Sequence, residues 1–179
     1  MSNGLHHMLV HFPLAFWSLS ALLMLAAARG APNWVYHSLP PLLFLGFVTG
    51  LAVTITGLLA WPMEALLASP PGRNKLAFAL WSLAWWGLVW WLHHNFGRAL
   101  YQQGRAWLMP VLGGVGLILI LVTGSLAAIL AGVSSPLQAP LRALGFEPHT
   151  TIQQPWWALL ILVGLVGFLG WMGTSRPSR

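Results

Sequence analysis

Asp, Glu, Lys and Arg are absent from five long stretches of this chain, residues 5–28, 30–63, 76–97, 106–141 and 148–175. Each exceeds the roughly 18 apolar-dominated residues that mark a membrane-spanning helix, so the chain reads as an all-α polytopic membrane helical bundle. Five transmembrane helices are expected, at 8–28, 39–60, 75–96, 107–133 and 155–172, in a single membrane domain of 179 residues.

The boundaries follow from punctuation between the runs. Arg29-Gly30-Ala31-Pro32-Asn33 closes the first, and the prolines of Ser38-Leu39-Pro40-Pro41 suit the entrance of the second. Ser69-Pro70-Pro71-Gly72-Arg73-Asn74 reads as a loop, and Gly97-Arg98 as the stop of the third helix. Pro110 is tolerable in the opening turn of the fourth, and Ser134-Ser135-Pro136 marks its exit. Residues 137–153 read as a loop with one short interfacial helix, after which Pro155-Trp156-Trp157 opens the fifth span. Ala26-Ala27-Ala28 offers small residues of the kind signal peptidases cleave, but the preceding run is long and lacks a basic start, so a retained first helix is expected.

Composition removes several function classes. The charge of +6 comes from eight scattered basic residues against Glu64 and Glu147, which fits loop charges on a membrane protein and not a nucleic-acid-binding face. Lipid is therefore the first partner. Without cysteine there is no disulfide, c-type heme attachment, thiolate-ligated iron–sulfur cluster or cysteine nucleophile. The spans carry no mid-depth carboxylate, which argues against a proton pump or charged-solute transporter, and no serine sits in a hydrolase elbow. Five basic residues (Arg29, Arg98, Arg105, Arg176, Arg179) face three (Arg73, Lys75, Arg142) across the bilayer. Positive-inside bias then places the N-terminus outside and the C-terminus inside; in a bacterial inner membrane, the expected location, that would make the N-terminus periplasmic.

Small and aromatic residues suggest how the helices meet. Gly46 and Gly50 form a small-xxx-small pair, and Gly113, Gly116, Thr123 and Gly124 allow close approach to the fourth helix. Six tryptophans lie near predicted helix ends, where an indole suits the membrane interface. The third helix differs: Trp81 and Trp85 are four apart, as are Trp86 and Trp90, covering a broad surface that serves packing or a partner, pigment, quinone or heme.

Seven histidines carry the remaining chemistry. His6, His7 and His11 cluster at the first helix entrance, where imidazoles suit heme iron or a transition metal and equally suit packing or hydrogen bonding. His37 and His93 fall on one membrane side and make a candidate heme pair; adjacent His93 and His94 point about 100° apart and do not share an iron. On the opposite side, His149 with His7 or His11 is a second candidate pair.

The segment Leu9-Val10-His11-Phe12-Pro13-Leu14 resembles the bacterial membrane-protein family known as the DUF2231 family, with Thr56-Gly57-Leu58-Leu59-Ala60-Trp61 as a second partial match. Gly113-Gly114 and Thr123-Gly124 add loose support, and the resemblance covers roughly residues 5–130. It implies a compact membrane bundle found alongside Rieske or cytochrome modules, hence electron transfer. Where relatives often place another histidine before the third helix, this chain reads Arg73-Asn74-Lys75-Leu76, and Asn74 is a poor axial ligand.

Two functions are therefore expected to compete. One is a membrane electron-transfer subunit holding b-type heme through the histidines named and meeting a quinone or larger redox complex. The other is a cofactor-free structural or assembly subunit using the Trp-rich helix and the Gly46/Gly50 surface.

Overall fold

The structure, a computed structural model, describes residues 3–102, 104–135, 137–145, 147, 164 and 168. All regular structure among them is helical. In chain order the elements are α1 (Asn3–Leu9), α2 (His11–Ala28), α3 (Asn33–Ala60), α4 (Met63–Ala68), α5 (Pro70–Phe96), a 3₁₀ turn (Gly97–Tyr101), α6 (Leu108–Leu130) and α7 (Gln138–Ala143). Four stretches are long and apolar enough to cross a membrane: Gly4–Ala28, Asn33–Ala60, Pro70–Tyr101 and Leu108–Leu130. The protein is a polytopic helical membrane bundle; the expected fifth span, 155–172, lies outside the described residues apart from Gly164 and Phe168.

The helices begin where backbone chemistry allows, and in two places this is earlier than expected. The Ser69–Asn74 segment is not a loop. Ser69 caps α5, its hydroxyl accepting from the Gly72 amide at 3.2 Å, while Pro70 and Pro71 fill the first turn, whose amides have no intrahelical acceptor. Pro40 and Pro41 are likewise interior to α3, which starts at Asn33. They remove the amides that would bond the Tyr36 and His37 carbonyls, one to two turns from the helix end, where interfacial water can satisfy them. At the other limit, α6 stops at Leu130. Gly132 takes φ 73°, and the Val133 amide turns back to the Ala128 carbonyl at 2.9 Å, a left-handed closure that favours glycine.

Helix α2 packs on α3 and α6, and α5 packs on the same two, closing a four-helix ring. Its centre is aromatic. Trp17 of α2 and Trp86 of α5 stack across the diagonal, centroids 5.5 Å apart and planes 5° from parallel. Gly46 and Gly50 of α3 receive Trp17, and Gly116 of α6 receives Trp86; a Cβ at Gly116 would stand 2.6 Å from the Trp86 ring. In lipid, where apolar surface gains nothing by leaving hydrocarbon, close van der Waals fit of this kind holds helices together. Met24, Leu39, Leu43, Val89, Met109 and Leu112 complete the buried core.

Two polar bonds cross between α5 and α6, while the Trp17 and Trp86 indole N–H groups and the Ser20 hydroxyl are buried in the ring without a hydrogen-bond partner among the described residues. The Trp85 indole donates to the Leu112 carbonyl at 2.8 Å, joining α5 to α6, and Ser82 and Thr123 meet at 3.3 Å across the same pair. Trp85 and Trp86 are buried and Trp81 and Trp90 half-buried; Trp90 packs on Phe44 and Phe47 of α3, and Trp81 on Phe78. The Trp-rich surface of α5 thus faces neighbours within the chain.

Candidate functional site

The two histidine groups sit at opposite ends of the bundle and differ in chemistry. At the end bearing the α5 C-terminus, α5 turns His93 inward and leaves His94 exposed, as their angular separation requires. The Val89 carbonyl can only accept, so His93 Nδ1 donates to it, at 2.9 Å, and Nε2 lies 2.8 Å from the Tyr101 hydroxyl. Both ring nitrogens are engaged. Tyr101 stacks edge-on against Tyr36, whose hydroxyl donates to the Ala27 carbonyl at 2.8 Å. Arg98 lies over the Tyr36 ring and donates to Asn33 Oδ1 at 2.8 Å. This network ties the end of α2 and the start of α3 to the 3₁₀ turn.

His37 belongs to the same end but is exposed, with Nδ1 donating to the Asn33 carbonyl one turn back at 2.8 Å. No hydrogen bond or ring contact joins it to His93. A heme held by two histidines needs two free imidazole nitrogens opposed on one axis. His37 and His93 as placed do not fit that group.

At the other end, α1 folds across α3. Thr56 spends its single hydroxyl proton on the Ala52 carbonyl at 2.9 Å, so its oxygen accepts from His6 Nδ1 at 3.2 Å. The His6 ring lies against Gly57, where a Cβ would come within 2.9 Å of it. His7 stands edge-on to His6, and exposed His11 donates to the His7 carbonyl at 3.0 Å. His149 lies outside the described residues.

Beneath these histidines a cavity of about 690 Å³ opens among α1, α2, α3, α5 and α6. Trp17, Gly50, Ser82 and Ile120 lie deepest along their helices, while His6, His7, His11, Trp61 and Lys75 stand near the helix ends. Lys75 Nζ sits 5.6 Å from the centre of the Trp61 ring. The lining is mostly apolar; its ionisable groups stand toward the mouth, while the hydroxyls of Ser82 and Thr123 lie inside. Three segments that carry the sequence resemblance meet here: Val10, His11, Pro13 and Leu14; Gly57, Leu58 and Trp61; Thr123 and Gly124.

Sequence reasoning grouped His6 with His7 and His11 without choosing among them, met Thr56 only as the start of a partial motif, and gave Lys75 no role in a site. A signal existed for Lys75, the one lysine in the chain, placed at the head of an apolar run. His6 was indistinguishable from His7 without the rotation of α1. Asn74, beside Lys75, is buried in the early turns of α5. Among the described residues no group of three His, Asp or Glu side chains is arranged to hold a metal ion. No family model, curated protein or solved structure matches the chain.

Proposed function

We propose that this chain is a cofactor-free structural or assembly subunit of a larger membrane complex. The observation that carries the reading is how the central histidine is used: His93 has both nitrogens bonded inside the fold, bracing α5 against the turn that follows it. His6 similarly braces α1 against α3, and His37 and His11 bond carbonyls of the preceding turn. These are bundle-building roles. Most of the described sequence lies in membrane spans, so lateral surfaces are what the chain offers a partner. Trp34, Trp91, Phe96 and Trp107 form an exposed aromatic collar at the Arg98 end, 61%, 50%, 48% and 55% accessible, suited to a neighbouring subunit at headgroup depth. Mild-detergent extraction of the native assembly, followed by identification of co-purifying chains, tests this. A stoichiometric larger complex that Trp91→Ala with Phe96→Ala weakens is expected; a fully active monomer overturns the reading.

A second reading, electron transfer through b-type heme with a quinone or redox partner, keeps one favourable observation. His7 and His11 share the rim of a large apolar cavity, within the segment that resembles the DUF2231 family, whose setting implies redox modules. Since the His37–His93 arrangement does not fit, His149 would have to complete this pair. An oxidised-minus-reduced spectrum of protein expressed with ample heme decides the matter. A Soret band abolished by His11→Ala supports heme, and a featureless spectrum removes it.

A further inference from the structure

The cavity beneath His6 is not accounted for by a bracing role, and its chemistry is directional. Apolar walls lead to a mouth that carries one ammonium and three imidazoles, with no carboxylate among the lining residues. The whole chain has two acidic side chains. Glu147 lies 3.3 Å from Arg142, and Glu64 is exposed on α4 and does not line the cavity. Lys75 is therefore half-buried beside a π face without a protein carboxylate to offset its charge. An ammonium removed from bulk water is stabilised by an opposite charge close by, and basic pockets between membrane helices hold anionic lipid headgroups for this reason.

We propose that this cavity binds an anionic membrane phospholipid, one acyl chain lying between α2, α3, α5 and α6 and the phosphate held at the mouth by Lys75. The apolar depth selects a chain-bearing molecule over a free anion. Charge complementarity selects an anionic headgroup over a zwitterionic one and over a neutral quinone. Trp61 keeps one face of the ammonium covered while its N–H donors remain available. His6, fixed by Thr56, sets the shape of the rim.

The full chain, in nanodiscs of phosphatidylcholine and phosphatidylglycerol mixed equally, is extracted gently and its retained lipid counted by native mass spectrometry. Wild type is expected to hold phosphatidylglycerol preferentially, and Lys75→Gln to lower that preference about fivefold, the equivalent of one surface-proximal basic contact. Lys75→Arg should restore it. Ala128→Phe, which fills the cavity, should lose both lipids; Ala79→Leu is the milder filling should that variant fail to fold. A diazirine placed in the acyl chain should cross-link to residues such as Leu83 and Ile120 that line the interior. Equal retention of the two lipids by wild type, unchanged selectivity in Lys75→Gln, cross-links confined to the outer surface, or a neutral quinone as the retained species would each overturn the proposal.

Discussion

Trp17 and Trp86 lie face to face across the bundle diagonal, with Trp17 seated against Gly46 and Gly50 of α3 and Trp86 against Gly116 of α6. Four helices therefore meet through two side chains. The glycine positions and the indoles are complementary in shape, so a methyl group added on either side has nowhere to go.

Gly116→Ala and Gly46→Ala should each destabilise the bundle by roughly 1–3 kcal/mol, because the new Cβ meets an indole already stacked on a second one. Gly114→Ala and Gly124→Ala, whose Cβ atoms would meet nothing within 4 Å, serve as controls and should leave stability unchanged or slightly raised. Thermal unfolding in one detergent at fixed protein concentration provides the comparison.

His93 and Tyr101 should behave as a coupled pair. Tyr101→Phe leaves one imidazole nitrogen without its hydroxyl partner and should cost about 1–2 kcal/mol, whereas a double-mutant cycle with His93→Phe should return a coupling near 1 kcal/mol. Additive losses would mean that the bond contributes nothing specific to stability.

Ser69→Ala tests the start of α5. Its hydroxyl is the acceptor for the Gly72 amide, and losing that cap should cost about 0.5–2 kcal/mol, with Ser69→Asp largely preserving stability. Hydrogen exchange localised to the amides of residues 72–74 should accelerate in the alanine variant. Unchanged exchange there would show that the two prolines hold the turn without the cap.

Replacing Thr56 with Val removes the acceptor for His6 while keeping the side-chain shape. An interhelical hydrogen bond in lipid is worth about 0.6 kcal/mol on average, so little global loss is expected. The local effect should be larger: proteolysis ahead of Val10 should quicken as α1 loosens from α3. Identical cleavage rates would assign the joint to packing against Gly57 instead.

Much of the architecture was legible because charge-free runs leave a chain few options in lipid. The proline pairs were not, since the same dipeptide opens a helix at Pro70-Pro71 and lies inside one at Pro40-Pro41. What separates them is the capping Ser69 in one case and the earlier Asn33 start in the other. Two histidine groups at opposite ends followed from connectivity. Which imidazole turns inward depends on helix rotation, and α5 carries no amphipathic stripe to reveal it, being apolar almost all round. Gly46 and Gly50 announced a close approach but not its occupant, a side chain from within the chain and not a partner's helix.

The glycine seats under Trp17 also order events in time. Ribosomal synthesis delivers α2 and α3 first, and Gly46 and Gly50 lie within that opening hairpin, so Trp17 can settle before α5 exists. The stack on Trp86 needs α5 as well, and the Gly116 seat of Trp86 needs α6. The aromatic centre can thus form stepwise, in the order in which its four helices are synthesised.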